Sequence, residues 1–234
     1  MITIYIVAYN EEIILPFTID HYKKRFPNCN IIVYDNMSTD KTPEIAIKNG
    51  AKVLQFDTNN QINDLKYLEI KNNCWKNSDN NWVIVCDVDE LLDINQEQLI
   101  KEANNGVSII KSCGYNMVNF NDNLDIKSIK YGKRAPQYDK YIMFNKEFIH
   151  SINYEAGCHI CNPVGTIKYS CCSYNLYHYH FINFEFVMSK YKRNITRLSK
   201  ENIKHGWGIH YTISEQELKD KFDLLRRESI RVRE

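Results

Sequence analysis

The feature of this sequence that most restricts its fold is a set of short apolar runs in the first 90 residues, separated by stretches of helical periodicity. Most of these runs are apolar at successive positions, so both faces of each predicted strand are apolar. Strands of this kind are typical of a parallel sheet that helices cover on both sides. The sequence therefore predicts a doubly wound α/β fold. The predicted strands are residues 2–8, 30–34, 52–56 and 82–86, and the predicted helices are 12–25, a short helix from about Thr42 to Gly50, and 62–76.

Three of the predicted strands run directly into polar segments. These segments are Y-N-E-E (9–12), D-N-M-S-T-D (35–40) and D-V-D-E (87–90). In an open α/β sheet, ligands bind outside the carboxyl ends of the strands. We therefore expect the three segments to form one ligand site at a single edge of the sheet.

The last of these segments indicates a metal site. Asp87 and Asp89 are two residues apart, so in extended backbone their side chains project to the same side. Carboxylate oxygens are the ligands that Mg²⁺ and Mn²⁺ prefer, and a bound ion would offset the repulsion between the acids. The alternative interpretation is structural, because Asp and Glu also favour helix N-termini and these acids could cap the turn and helix that follow.

Composition excludes several classes of protein. Charged residues make up 25% of the chain and the formal net charge is +1, so no overall field recruits nucleic acid or an anionic membrane. The N-terminus has no basic region of a signal peptide, and its apolar run is too short to span a bilayer. The eight cysteines have no regular spacing, which favours reduced thiols over a disulfide framework. We expect a cytoplasmic protein with no transmembrane segment and no nucleic-acid partner.

The order of the motifs resembles that of a known family. A-Y-N-E-E (8–12), Y-D-N-M-S-T-D-K-T (34–42) and V-C-D-V-D-E-L-L (85–92) together resemble family-2-like glycosyltransferases with the GT-A fold, over roughly the first 95 residues. The resemblance implies an α/β, Rossmann-like mixed sheet, mostly parallel, with helices on both faces and a C-terminal helical extension. It also implies a nucleotide-sugar donor, a UDP-sugar in particular, and Mn²⁺ or Mg²⁺ as cofactor.

The same resemblance assigns roles to individual residues. Asn10 and Glu11 would lie beside the base of the donor, and Asp35 would contact the base or the ribose. Ser38 and Asp40 would shape the second loop, and the D-x-D acids would hold the metal on the diphosphate. The implied donor-binding residues are Ala8, Asn10, Glu11, Asp35, Ser38, Asp64, Lys71, Asp87 and Val88.

Some of these positions depart from the family or have a second interpretation. Ala8 stands where the family commonly has Pro, and Asn36 stands where many members have a second Asp. The family also implies that a basic residue between the second and third motifs holds the donor, which makes Lys71 the candidate, with Asp64 nearby. Alternatively, both residues belong to a solvated helix face.

The segment N-L-Y-H-Y-H-F (175–181) offers further metal ligands. In a strand, His178 and His180 share a face, and a neutral imidazole there would complete the metal shell begun by Asp87 and Asp89. The resemblance favours this interpretation, with His178 preferred and His180 as the alternate. Two other interpretations stay open: histidines hydrogen-bonded in a polar wall, and a structural zinc site, for which the adjacent pair of cysteines fits poorly. The zinc candidates are Cys158, Cys161, Cys171, Cys172, His178 and His180.

The expected reaction is displacement at the anomeric carbon by an acceptor hydroxyl of a glycan, glycolipid or glycoprotein, with inversion. This needs one general base, for which Asp139, Glu155 and His159 are the candidates and His159 is preferred. Lys140 would reach the diphosphate or pair with Asp139. Because no Q-x-x-R-W signature of processive enzymes is present, we expect transfer of single sugars. Alternatives are a nucleotidyltransferase of related fold and a zinc-stabilised module that binds nucleotide-sugars without turnover.

The chain is expected to divide into three parts. Residues 1–104 form the nucleotide-sugar-binding half of one GT-A domain, 105–183 the acceptor-side half, and 184–234 a C-terminal helical extension. A strand is predicted over 108–120, as one strand or as a pair interrupted by Gly114, and helices over 184–199 and 214–231. The arginines of the last helix suggest a solvated face, or a peripheral contact with a membrane surface. These arginines are Arg226, Arg227, Arg231 and Arg233.

Overall fold

The computed structural model of the protein describes residues 1–121 and 123–233. One large mixed sheet forms its centre, with helices on both faces. The strands are β1 (Ile2–Ala8), β2 (Asn30–Asp35), β3 (Lys52–Gln55), β4 (Trp82–Asp87), β5 (Glu90–Leu92), β6 (Ile109–Val118), β7 (Tyr131–Arg134), β8 (Met143–Asn145), β9 (Ile149–Ser151), β10 (Val164–Gly165), β11 (Tyr169–Phe181) and β12 (Ile230–Arg231). The helices are α1 (Leu15–Arg25), α2 (Thr42–Lys48), α3 (Asp64–Asn73), α4 (Gln96–Asn104), α5 (Phe184–Ile195), α6 (Lys200–His205) and α7 (Glu215–Glu228).

The first half of the sheet is parallel, as the apolar runs predict. Its strands lie in the order β3, β2, β1, β4, and every neighbouring pair is parallel. Val7 pairs with Asp87, and Ala8 pairs with Asp35, so the three strand tips that carry the polar segments lie side by side. The predicted α/β class with a mixed, mostly parallel sheet is confirmed.

The second half adds antiparallel strands to this sheet. β8 inserts between β4 and β6 and is antiparallel to both, while β11 runs parallel to β6. β11 also pairs with β5, with His178 opposite Glu90. This pairing brings the histidines of β11, which come late in the chain, next to the D-V-D-E segment.

Gly114 does not interrupt the strand that contains it. The predicted strand over 108–120 is a single strand, β6, and Gly114 lies in its middle. A Cβ at this position would lie 2.4 Å from Cβ of Tyr138 and 2.7 Å from the carbonyl oxygen of Ala135. A strand glycine often marks a close approach of other backbone, and here it admits the turn at residues 135–138.

Both faces of the central strands are buried. Ile4 and Ile6 face a core that α1, α2 and α4 cover, whereas Tyr5, Val83 and Val85 face a second core beneath α3. Each fully buried side chain of this size contributes about 1.5–3 kcal/mol, so the continuous apolar runs stabilise the strands from two sides. This rigid centre fixes the positions of the strand tips.

Asp93 joins three elements next to this core. Its carboxylate accepts a hydrogen bond from Nε of Arg25 at 2.9 Å and one from the hydroxyl of Tyr177 at 2.7 Å. Burial alone would raise the pKa of Asp93, but these two partners hold it below its usual value. The contact links α1, the end of β5 and β11.

The C-terminal extension packs on the edge of the sheet that carries β6 and β11. Buried side chains of α5 and α7 contact one another and the ends of both strands. Ser214 and Glu217 form the predicted capping box of α7. α7 ends at Glu228 because the chain continues as β12, which pairs with β7. None of the helices in the described ranges combines the length and apolar character needed to cross a membrane.

The C-terminal arginines do not form a single solvated face. Arg226 donates from Nε to the carbonyl oxygen of Asn119 at 3.0 Å, and Arg233 donates to the hydroxyl of Tyr179. Arg233 also lies 5.2 Å from the ring centroid of Phe17. The expectation of a purely solvated stripe is therefore wrong for these two residues, which bind the extension to the sheet.

Candidate functional site

A cavity of about 790 Å³ opens at the carboxyl ends of β1 and β4. Its floor comes from the strand tips, and its walls come from α3, β11, the loop around Gly157 and the C-terminal extension. The position is the one expected for the ligand site of an open α/β sheet. The predicted donor-binding residues that line it are Ala8, Glu11, Asp64, Lys71, Asp87 and Val88.

Asp89 and two histidines form the cluster of metal-ligand type in the described part of the chain. Oδ2 of Asp89 lies 3.7 Å from Nε2 of His178 and 3.9 Å from Nδ1 of His180, and one ligand atom from each residue fits within 4.8 Å. The histidines share a face of β11 because they are two residues apart. Tyr179 N donates to the carbonyl oxygen of Asp89 at 2.8 Å, which holds β11 against this segment.

In each histidine the ring nitrogen that faces Asp89 is the one not hydrogen-bonded to Asn116 or Tyr191. Nδ1 of His178 donates to Oδ1 of Asn116 at 2.8 Å, so Nε2 carries no proton in the neutral ring. Nε2 of His180 bonds to the hydroxyl of Tyr191 at 2.9 Å, so Nδ1 faces the carboxylate. Burial lowers the pKa of His178 to about 3 and also lowers that of His180, and neutral imidazole is the metal-binding form.

The donor set of this cluster fits a divalent cation. Burial would raise the pKa of Asp89, but Lys190 and a hydrogen bond from His180 hold it well below its usual range, so the carboxylate is ionised. One carboxylate oxygen and two imidazole nitrogens suit Mn²⁺ better than Mg²⁺, which prefers an all-oxygen shell. The Asn116 partner on the outer nitrogen of His178 is the kind of support that metal-binding histidines usually have.

Asp87 points away from this cluster. Its Oδ1 lies 2.6 Å from Nζ of Lys71, and its Oδ2 lies 4.0 Å from Nζ of Lys140. Burial raises the pKa of Asp87, and the two lysines outweigh this and lower it. Lys71 is buried, so the interpretation of a solvated helix face is wrong for it. The two acids of D-V-D thus face different partners.

Lys140 lines the cavity but does not pair with Asp139, which was one of the two roles expected of it from the sequence. Its Nζ lies 2.5 Å from Oε1 of Glu90 and 2.6 Å from the carbonyl oxygen of Gly157. Asp139 instead accepts hydrogen bonds from the backbone N of Gly114 at 2.8 Å and from Arg134 at 2.5 Å. Asp139 therefore fixes the turn after β7 against β6.

Lys190 is a site residue that sequence reasoning missed. From α5, its Nζ reaches Oε1 of Glu11 at 2.7 Å and lies 3.9 Å from Oδ2 of Asp89. Lys190 belongs to the segment expected to be a separate C-terminal extension. The spacing of Lys190, Arg193 and Arg197 along one helix face was the signal that could have found it.

Hydrogen bonds of Asn10, Asp35 and Ser38 hold the first two loops together. Backbone N of Asn10 donates to Oγ of Ser38 at 2.9 Å, and backbone N of Ser38 donates to Oδ2 of Asp35 at 3.1 Å. Asp40 accepts from backbone N of Glu12 at 3.2 Å. None of these four predicted loop residues is among the cavity-lining side chains.

His159 is the general-base candidate that lines the cavity, whereas Asp139 and Glu155 do not. Nδ1 of His159 donates to the carbonyl oxygen of Gln137 at 2.6 Å, which leaves Nε2 with a lone pair. Burial lowers the pKa of His159, so the ring is neutral at pH 7. Glu155 is exposed and accepts from Asn162 at 3.3 Å.

The zinc interpretation is not supported by the described residues. All eight cysteines are free thiols; Cys158 is buried, Cys161 is partly buried, and Cys171 and Cys172 are exposed. Within residues 1–121 and 123–233, no cysteine belongs to a metal-ligand cluster. His178 and His180 face Asp89 instead.

The family model described as Glycosyl transferase family 2 matches residues 3–162. No curated protein sequence matches the chain significantly.

Solved structures resemble the chain only at low identity. The S. aureus TarS structure is 14% identical over 94% of this chain and 42% of that chain, with a TM-score of 0.46. A mannosyltransferase, PcManGT from Pyrobaculum calidifontis in complex with GDP-Man and Mn²⁺, is 16% identical over 47% of this chain and 34% of that chain, with a TM-score of 0.37. Glucosyl-3-phosphoglycerate synthase from Mycobacterium tuberculosis, in complex with Mg²⁺ and UDP, is 21% identical over 49% of this chain and 43% of that chain, with a TM-score of 0.37. The chain thus spans less than half the length of each.

Proposed function

The chain belongs to glycosyl transferase family 2, and from this premise we propose that it transfers a single sugar from a nucleotide-sugar donor, a UDP-sugar in the first instance, to an acceptor hydroxyl with inversion. The observation that supports this most is the cluster of Asp89, His178 and His180 at the floor of the cavity. The sheet and the family model together confirm the GT-A type of fold that the motifs predicted.

We propose that Asp89, His178 and His180 hold a divalent cation, with Mn²⁺ preferred over Mg²⁺. When bound, such an ion neutralises the charge of the departing diphosphate. The chain itself keeps the two imidazoles neutral by burial and keeps Asp89 ionised. Lys71 sits in a buried pair with Asp87 at the same floor, so its charge is held in place beside the donor.

We propose His159 as the general base. The free lone pair on Nε2 can accept the proton of an acceptor hydroxyl, while the carbonyl oxygen of Gln137 orients the ring through Nδ1. The resulting imidazolium keeps its Nδ1 hydrogen bond, so the ring does not have to turn during the step. Asp139 and Glu155 do not line the cavity, so we do not assign the role of general base to either of them.

Metal-dependent donor binding tests the first part of the proposal. A panel of UDP-, GDP- and dTDP-sugars with MnCl₂ is screened by thermal unfolding, and a donor at 100 times its Kd adds about 2.7 kcal/mol of stability. In a chain of this size that raises Tm by about 5–10 °C. Asp89→Asn is expected to lose the Mn²⁺-dependent part, whereas the exposed Asp20→Asn is the matched control. An unchanged response in Asp89→Asn would contradict the metal assignment.

Turnover tests the second part. His159→Gln is expected to reduce release of the nucleotide about 100-fold or more without changing donor affinity, because a general base contributes roughly 10²–10⁴-fold to the rate. NMR of the glycoside product reports inversion directly. Full activity in His159→Gln would exclude it as the base, and donor binding without any turnover would identify the protein as a binding module.

A further inference from the structure

The inner face of α5 lines the cavity with basic side chains. Lys190, Arg193, Asn194 and Arg197 are spaced i, i+3, i+4 and i+7, and all four line the cavity. Arg197 follows the helix in a turn closed by a hydrogen bond from its N to the carbonyl oxygen of Asn194 at 3.0 Å. At 1.5 Å of rise per residue, this basic face extends about 10 Å along the wall.

Lys190 lies within ion-pair distance of carboxylates among the described residues, but the two arginines do not. Lys190 pairs with Glu11 at 2.7 Å. In the described part of the chain, neither Arg193 nor Arg197 has an ion-pair partner; Arg193 makes only long contacts, of 3.4 Å, to Oδ1 of Asn194 and the carbonyl oxygen of Asn10. Two guanidinium groups on the wall of the cavity therefore have no carboxylate of the described residues within ion-pair distance.

Arg197 shows this most clearly. It is only 6% exposed, and its Nη2 is buried with no hydrogen-bond acceptor among residues 1–121 and 123–233. Its Nε is bound to Asn60, through the carbonyl oxygen at 2.9 Å and Oδ1 at 3.1 Å, and its guanidinium carbon lies 3.2 Å from the ring centroid of Tyr9. Burying a charged donor without a partner is unfavourable, so this group is poised for an anionic ligand.

The position of Arg197 is fixed by the backbone rather than by its side chain alone. Its carbonyl oxygen accepts from N of Ile62 at 2.6 Å, and N of Ser199 donates to the carbonyl oxygen of Ile62 at 3.1 Å. Asn202, which is fully buried, exchanges two hydrogen bonds with Asp64, at 3.0 and 2.8 Å. The extension is therefore attached to the start of α3 independently of the guanidinium.

We propose that Arg193 and Arg197 bind the nucleoside diphosphate portion of the donor, so that the C-terminal extension forms part of the donor site. The inference rests on the proposed function. The basic face begins at Lys190, 3.9 Å from Asp89, and ends at Arg197, which packs on the ring of Tyr9 directly after β1. A single phosphate group is too small to contact both ends of this face, whereas a nucleoside diphosphate lying along α5 contacts its whole length.

The expectation that residues 184–234 are an appendage to the donor domain changes accordingly. The first loop, through Tyr9 and Glu11, and the metal cluster bound the cavity from one side, and α5 bounds it from the other. Arg193 donates to the carbonyl oxygen of Asn10 and lies 5.5 Å from the ring centroid of Tyr9, so both arginines converge on the first loop. A ligand in the cavity is enclosed between elements from the two ends of the chain.

Isothermal titration with UDP, GDP and dTDP, in the presence of Mn²⁺, tests the proposal. Arg193→Gln and Arg197→Gln are each expected to weaken the binding of the preferred nucleotide roughly 10- to 100-fold, the range for loss of a charge-assisted hydrogen bond. Lys192→Gln removes the same charge from an exposed position of the same helix and is expected to bind like the wild type. Arg197→Lys keeps a charge but not the fork of donors, and is expected to give an intermediate loss.

The outcomes separate this proposal from the function on which it rests. If the wild type binds one of these nucleotides and both Gln variants bind it equally well, the role of α5 is wrong and the proposed function stands. If the wild type binds none of the three nucleotides, both are wrong. Unfolding curves show whether each variant is folded, and should Arg197→Gln unfold, the affinities of Arg193→Gln and Arg197→Lys decide between the two outcomes. If Lys192→Gln loses as much nucleotide affinity as the arginine variants, the loss reflects only the net charge of the helix, and the proposal is overturned.

Discussion

Removal of the Lys140 amine is expected to destabilise the protein strongly. Lys140 and Glu90 are each 2% exposed at the side chain, and their charged atoms lie 2.5 Å apart. Nζ of Lys140 also donates to the carbonyl oxygen of Gly157, so the same ammonium joins the β5 tip to the loop that carries His159. The change Lys140→Met keeps most of the volume of the side chain and removes only the charge and its hydrogen bonds.

The magnitude follows from the burial of the pair. Removing one partner of a buried ion pair costs about 3–5 kcal/mol, because the other charge is left without compensation. For a chain of this length, this corresponds to a decrease in Tm of roughly 6–20 °C. The exposed pair of Lys66 and Glu69, with side chains 39% and 64% exposed and 2.9 Å apart, is the matched control. Lys66→Met is expected to cost less than about 1 kcal/mol.

The destabilisation of Lys140→Met depends on pH in a defined direction. Burial raises the pKa of Glu90, and Lys140 opposes that rise. Without Lys140, the folded state retains the proton on Glu90 at pH values where the unfolded chain has lost it. Stability then falls as pH increases above the ordinary carboxyl pKa of about 4.3, towards the raised folded value. The variant is therefore expected to be less stable at pH 8 than at pH 5.5, relative to the wild type at each pH.

Urea unfolding, followed by tryptophan fluorescence at both pH values, measures these effects. Adding Glu90→Gln to Lys140→Met removes the uncompensated charge, so the double variant is expected to recover at least about 1 kcal/mol over the single one. The reasoning is refuted if Lys140→Met costs no more than Lys66→Met. It is also refuted if the loss is the same at pH 5.5 and pH 8.

Three further changes test the supports of the site. Gly114→Ala is expected to cost about 1–3 kcal/mol in urea unfolding, since its Cβ would lie 2.4 Å from Cβ of Tyr138; a neutral result would contradict the close approach. Asn202→Ala is expected to cost about 1–3 kcal/mol and to speed hydrogen exchange at the backbone N of Asp64, because it leaves buried polar groups without partners; slow exchange would show that the attachment survives. Asp93→Asn is expected to destabilise the protein at pH 7, with a difference from the wild type that shrinks as pH falls through the lowered pKa of Asp93; a constant difference would exclude the charge as its cause.

The first half of the fold could be predicted because local sequence determines it. Continuous apolar runs such as residues 82–86 can be buried only in a parallel sheet with two covered faces, and both faces are in fact buried. The second half was harder to predict because its strands pair over long distances along the chain. β8 lies beside β4, and nothing in its three residues indicates that neighbour.

The site likewise contains residues that local sequence indicates and residues that only the packing of distant segments brings together. Asp89 and His178 could be proposed because strand alternation and the D-x-D spacing are local signals. The partners of Asp87 and Asp139 could not, since a carboxylate accepts any cation within reach and the sequence does not state which one the fold delivers. Lys190 was missed for the same reason: it comes to Asp89 only through the packing of α5 on the sheet.

The pairing of charges at the strand tips explains how so many acids can be buried together, and it selects the position for a cation. Each of three carboxylates has its own lysine, and all three lysine side chains are nearly buried. A cation that bound to one of these carboxylates would have to displace a buried ammonium, which would then be left without its partner. Asp89 faces two neutral imidazoles, and the ammonium nearest to it, Lys190 at 3.9 Å, is paired more closely with Glu11, at 2.7 Å. A divalent ion can therefore bind at Asp89 without breaking one of the three buried pairs and without releasing a proton from the histidines. In the described part of the chain the lysines thus leave one acid of the D-V-D-E segment available, which is a selection that the motif alone does not contain. The three pairs are Asp87 with Lys71, Glu90 with Lys140, and Glu11 with Lys190.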